Sequence, residues 1–209
     1  MRLTERDVKT LGFLAKWRFC TVEQLQNAGV FHTSYKKCSS RLAILRKNGF
    51  IKSYRLNTGR LFYVLTPKGG EAIDLFDNWH SARYRFAQST VINQLILTDF
   101  ALAMGIEYLP RKKALERFLK ADYGELLKVS RLNDNYFEKD GVLHVLVVDN
   151  RLGLKYFSER VKAYAKLSAE LRDRIIVVFL VFNEVKKSQV GKLNGGEVRI
   201  KVFKANWKY

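Results

Sequence analysis

The sequence predicts an α+β chain: a basic, mainly helical N-terminal part closed by a β-hairpin, then a region in which helices and strands alternate. Three observations predict it. Apolar residues recur at helical spacing up to Asn48, the period shortens to two after Gly49, and the run Ile175 to Phe182 is almost wholly apolar, as a strand covered on both faces is. A length of 209 residues suits one large domain or two small ones, and two are preferred here: 1–80, a connecting helix over 81–104, and 105–209.

The first helix is expected over "TERDVKTLGFLAKW", with Thr4 as N-cap, acids in the first turn and Val8, Leu11, Leu14 and Ala15 on one face. A second starts at Thr21, where Thr21 and Gln24 have capping-box spacing, and Gly29 stops it. The third runs from about Thr33 to Asn48 and turns Tyr35, Cys38, Leu42 and Leu45 to the core. "FIKSYRL" and "LFYVLT", separated by "NTGR", read as a hairpin. Pro67 ends its second strand, and "KGGEAIDLFDNW" reads as a fourth helix packing Ile73, Leu75 and Phe76. Three helices, a hairpin and another helix predict a winged helix-turn-helix. A longer helix is expected from Ser81 to Ala103, with Phe86, Val91, Leu95 and Phe100 on its apolar face. Beyond Gly105 the expected order is helix "ALERFLKADY", strands "ELLKVSRL" and "GVLHVLVVD", helix "YFSERVKAYAKLSAELRD", buried strand "RIIVVFLVF" and last strand "EVRIKVF".

Charge narrows the function classes. Lys and Arg number 38 against 20 Asp and Glu, a net charge of +18, which implies attraction to polyanions. A membrane is the weaker candidate: no apolar run reaches the roughly 18 to 20 residues of a span, and "MRLTERDVKT" is too charged for a signal sequence, so a cytoplasmic protein without membrane insertion is expected. Cys20 and Cys38 lack zinc-site spacing and are expected to be reduced and buried; His32, His80 and His144 are scattered, so neither a metal nor a cofactor is expected.

The positive charge is not evenly spread. From Gln24 to Gly70 there is no Asp or Glu at all, although an interval of that length would hold about four or five at the chain's average. The same interval carries Lys36, Lys37, Arg41, Arg46, Lys47, Lys52, Arg55, Arg60 and Lys68. Removing the core face of the third helix leaves Ser34, Lys36, Lys37, Ser40, Arg41 and Lys47 toward solvent. Short hydroxyls and forked guanidinium groups there suit base edges, and lysines suit phosphates. On the hairpin, Arg55, Asn57, Thr58 and Arg60 flank the turn, where a wing tip meets phosphates or the minor groove. Double-stranded DNA is therefore the expected partner.

The order of these motifs resembles the replication-relaxation family of plasmid and conjugative-element proteins, through "LTERDVKTLGFLAKWRFCTVEQL", "SSRLAILRKNGFIKSY", "GRLFYVLTPKGGEAI" and a helix after His80 containing Asn93. The resemblance implies sequence-specific DNA binding in plasmid or mobile-element replication, relaxosome assembly or conjugative mobilisation, with control of the element's transcription. It also implies a C-terminal domain similar to the PD-(D/E)xK nuclease core. In that core two acids hold Mg²⁺ and a lysine orients the attacking water. Asp140, Asp149 and Arg151 are the candidates here. Lys139 stands where that motif has proline, and an arginine stands where it has lysine, a poor substitute beside a metal. The expectation is a degenerate core that is not an enzyme. The alternatives are a Mg²⁺-dependent nuclease and an adaptor for an acidic relaxase or coupling protein; a homodimer is compatible with all three.

Overall fold

The computed structural model describes residues 1–75, 86–109, 114, 124–129, 134–149, 153–193 and 198–205. The chain divides into two compact units, Met1–Leu102 and Ala103–Lys208.

In the first unit, α1 (Glu5–Trp17) opens on a capping box in which Thr4 accepts from the Asp7 amide while the Asp7 carboxylate accepts from Thr4. Its buried face is Asp7, Thr10, Leu11, Phe13, Leu14 and Trp17, and Val8, expected in the core, is 44% exposed. Apolarity alone aims the helix wrongly, because a carboxylate occupies a core position with a cation beside it. The short α2 (Val22–Asn27) has the expected box between Thr21 and Gln24, and the chain leaves it through Gly29 at φ 69°. Gln24 also donates to Leu95 O (2.7 Å) and Asp99 Oδ1 (2.9 Å), fastening α2 to α5 (Gln88–Met104).

Ser34 caps α3 (Tyr35–Lys47), which buries Cys38, Leu42 and Leu45 completely. Tyr35 is 52% exposed, contrary to expectation, because as the first helical residue it stands at the edge of the face that Cys38, Leu42 and Leu45 bury. Gly49, at φ 80°, leads into β1 (Ile51–Arg55), which pairs antiparallel with β2 (Leu61–Leu65) from Ile51 opposite Leu65 to Arg55 opposite Leu61. A bridge from Cys20 to Tyr63 ties the segment after α1 to this hairpin. Both cysteines are buried free thiols.

The predicted fourth helix is only α4 (Pro67–Glu71), capped by Thr66 and finished at Ala72. Asp74 then turns at φ 56°; Ile73 and Leu75 are half-buried, and Phe76 lies outside the described residues. Of the predicted 81–103 helix, the described residues carry α5 from Gln88 on, with Phe86 and Ala87 outside it. Its Val91 and Leu95 close a core with Phe19, Leu56, Phe62 and Val64, against which Phe86 packs.

The second unit is built on a five-stranded sheet in the order β3 (Glu107–Leu109), β4 (Asn135–Lys139), β5 (Val142–Val148), β6 (Ile175–Val181), β7 (Ile200–Lys204). The pairs β3–β4 and β4–β5 are antiparallel; β5–β6 and β6–β7 are parallel. All seven residues of β6 are buried, as its composition predicts. Alternate residues Leu143, Val145 and Val147 of β5 and Ile175, Val177, Phe179 and Val181 of β6 share a core with Phe157, Val161 and Tyr164 of α7 (Leu154–Tyr164). The sequence errs at the first strands of this sheet: "ELLKVSRL" is helix α6 over Gly124–Val129, and β3 and β4 ("NYFEK") were both unpredicted. The predicted helix 156–173 breaks after Tyr164 and resumes as α8 (Ala169–Asp173), and α9 (Glu184–Gly191) was not expected. Most of the predicted helix 114–123 lies outside the described residues. Among the described residues no helix is long and apolar enough to cross a membrane.

Candidate nucleic-acid interface

Ten residues carry the sequence's DNA-binding expectation, and the first unit sets them on two elements. Ser34 is the N-cap of α3 and accepts from the Lys37 amide at 3.5 Å, so its hydroxyl serves the helix. Lys36, Lys37, Ser40 and Lys47 are exposed along α3. Steps of four, three and four residues from Lys36 through Ser40 and Ala43 to Lys47 make one solvent stripe.

Arg41 is placed differently. Its Nε donates to Asp7 Oδ1 at 2.8 Å and its Nη2 to Asp7 Oδ2, a two-pronged pair with a carboxylate that has no exposed surface. Burial would push the Asp7 carboxyl up, but hydrogen bonds from Arg41 and Thr4 outweigh it and hold the group below its ordinary value. The guanidinium that the sequence offers to bases is therefore pointed along a fixed direction, with its fork engaged.

On the hairpin, Arg55, Asn57 and Thr58 are exposed, and Arg55 Nη1 donates to Gly59 O at 2.9 Å across the turn. The Asn57 amide donates to Gln88 Oε1 (3.1 Å) and Gln88 Nε2 donates to Arg55 O (3.4 Å), so the start of α5 steadies the tip. Arg60 pairs with Glu23 at 2.8 Å. Burial raises Glu23, but backbone hydrogen bonds and Arg60 bring it below the usual carboxylate value. Glu23 stands one residue before the acid-free interval and Asp7 lies well before it; acids from outside the interval thus neutralise two cations within it.

A groove of about 920 Å³ runs between α1 and α3. Arg6 and Lys9 line it from α1, His32 from the preceding loop, and Lys36, Lys37 and Arg41 from α3. Arg6 lies over the Phe31 ring at 5.5 Å, and Lys9 pairs with Glu5 at 2.6 Å.

The acids of the second unit do not form the expected pair. Asp140 sits in the β4–β5 turn with Gly141, both at positive φ, whereas Asp149 follows the far end of β5. A seven-residue strand spans about 23 Å, so the two cannot share a Mg²⁺ ion, which needs its oxygens at about 2.1 Å. Asp149 is 2% exposed and meets Lys186 of α9 at 2.7 Å; Arg151 lies outside the described residues. A second buried acid lies toward the same end of the sheet as Asp149, namely Asp134. It precedes β4, whose Asn135 pairs with Leu146, so Asp134 stands at the same end of the sheet. It is buried with Arg160 and Tyr164: Tyr164 donates to Asp134 Oδ2 (2.8 Å), and Arg160 binds Asp134, Tyr164 and Val129 O. Burial and the Asp134 charge push the Tyr164 hydroxyl well up, so it stays protonated as a donor. Among the described residues no group of three His, Cys, Asp or Glu is placed to hold a metal.

The family model for replication-relaxation proteins matches residues 11–147. The chain belongs to the replication-relaxation family. No curated protein and no solved structure gave a significant match. Membership assigns the chain a part in replication or mobile-element function, and the matched span takes in α3, the hairpin and the sheet as far as β5.

In this replication-relaxation protein, sequence reasoning missed Arg6 and Lys9 of the groove and the Asp134–Arg160–Tyr164 cluster. Arg6 and Lys9 are three apart and face away from the Leu11–Leu14 stripe, which could have drawn attention to them. For the cluster, the acid in "LNDNYF" just before an alternating run was the available sign, but Asp140-Gly141 was more conspicuous.

Proposed function

We propose that this protein is a sequence-specific double-stranded DNA-binding protein of a plasmid or mobile element, acting in replication, relaxosome assembly or conjugative mobilisation and on the element's own transcription. The reading takes α1 to α3 and the β1–β2 hairpin as a winged helix-turn-helix, with α3 in the major groove and the hairpin tip against the neighbouring backbone. One observation carries it: the exposed stripe Lys36, Ser40, Ala43, Lys47 on a capped helix, beside a hairpin whose tip presents Arg55, Asn57 and Thr58. Ser40 offers a hydroxyl and Ala43 a methyl to base edges, and the lysines reach phosphates. Arg41 and Arg60, paired with Asp7 and Glu23, orient these surfaces instead of leading recognition.

The second unit, on this reading, is a degenerate PD-(D/E)xK-like domain that assembles the complex without chemistry. Its acids Asp134 and Asp149 each have a basic side chain against them, which a metal would have to displace. Cytoplasmic action on DNA and contact with an element-encoded relaxase follow from the same reading.

The experiment is duplex binding to DNA flanking the gene, against a scrambled duplex. Ser40→Ala should cost about 1 to 3 kcal/mol on the preferred site and little on the scrambled one, while Lys36→Ala weakens both alike. A parent protein that binds both duplexes equally loses the specific reading. Incubation with supercoiled DNA in Mg²⁺ or Mn²⁺, beside Asp149→Ala, should leave the DNA intact; cleavage that vanishes in the variant would make the protein a nuclease.

A further inference from the structure

We propose that the groove between α1 and α3 is a track for one DNA phosphate backbone, and that Arg6 and Lys9 of α1 are phosphate-contacting residues of this interface. The inference rests on the DNA-binding reading above and extends the contact surface beyond α3 and the hairpin to a helix whose sequence did not suggest it.

The groove walls carry long basic side chains from both helices: Arg6 and Lys9 on one side, Lys36 and Lys37 on the other. All four are exposed. Two facing rows of long cationic side chains suit a linear run of evenly spaced negative charge, and phosphate oxygens take most protein–DNA hydrogen bonds. The acids of the groove do not oppose this. Glu5 is spent on Lys9 in an exposed pair one turn apart, an interaction weak enough for a phosphate to replace. Asp7 is covered completely and its charge is met by Arg41.

Arg41 then has a positioning part. Its Nε and one edge of Nη2 are engaged by Asp7, and 28% of the side chain remains exposed in the groove. It is a fixed cation on the track floor, already ordered before DNA arrives, so binding loses little side-chain freedom there. The stripe of α3 that includes Ser40 lies on the same helix, so a backbone seated on the track enters beside the reading surface and sets its register.

The test uses the full chain carrying Arg6→Ala and Lys9→Ala together. Affinity should fall by the same factor for the preferred and the scrambled duplex. The plot of log K against log[salt] should become shallower by about 1.8, from roughly 0.9 per lost phosphate contact. Because Arg6 also covers Phe31, Arg6→Lys with Lys9→Arg is made in parallel; it keeps the charges and should keep the parental slope. Lys36→Ala separates the two levels of the argument. Parental slope and affinity in the double alanine variant, with Lys36→Ala impaired, overturn the track alone. A parent that binds no duplex overturns the track and the DNA-binding reading together.

Discussion

Arg41→Ala should destabilise the first unit more than the loss of a surface cation does, and the structure says by how much. The substitution removes the charge that meets the Asp7 carboxylate, leaving the Thr4 amide and hydroxyl, both at 2.8 Å, as its hydrogen-bond donors. Breaking a fully buried pair from one side costs about 3 to 5 kcal/mol. Here the guanidinium is 28% exposed and water can enter behind it, so we expect about 2 to 3 kcal/mol. Asp7→Ala removes the same pair and also half of the capping box, a further cost of about 1 kcal/mol. The double variant strands no charge, so it should be more stable than the sum of the singles by about 1 to 2 kcal/mol. Denaturant melts of the four proteins supply the cycle. The sign with pH is set by the lowered Asp7 carboxyl. Its contribution is fully present above the unfolded carboxylate value of about 4 and is lost as pH falls through the folded one. In Arg41→Ala the carboxyl rises and acid unfolding should begin at a higher pH than in the parent. Additive singles, or singles within about 0.5 kcal/mol of the parent, would refute the reasoning.

Gly69→Ala should destabilise the hairpin end of the same unit by at least about 1 to 3 kcal/mol, because a Cβ there would lie 2.1 Å from Phe50 O and 2.7 Å from Leu65 Cδ1; a thermal melt reads it. In the second unit, Arg160→Met leaves Asp134 buried beside Tyr164 and should cost about 3 to 5 kcal/mol, whereas adding Asp134→Leu should restore much of that in a denaturant melt.

How much of this was legible depends on whether the deciding contact is local. The caps Thr4, Thr21 and Ser34 act within three residues, and the helices they begin are where the sequence puts them. β6 is readable because the unbroken apolar run from Ile175 to Phe182, bounded by Arg174 and Asn183, has few other uses. "ELLKVSRL" fits both periods, and nothing within it chooses helix over strand. The Asp7–Arg41 pair joins positions 34 apart, so the aim of α1 and the restraint on Arg41 were beyond periodicity. Asp140 and Asp149, the acids of the nuclease alternative, show the opposite case: they are close in sequence, and the extended strand between them holds them apart.

The measurement nearest the central claim is the affinity of the full chain for duplex DNA as a function of salt. An exposed stripe of lysines on α3 and the hairpin tip, engaging about six phosphates, predicts that log K falls with log[salt] at a slope near −5, from roughly 0.9 per phosphate. A slope near zero, or no duplex binding at low salt, would contradict the claim that this basic unit exists to hold DNA.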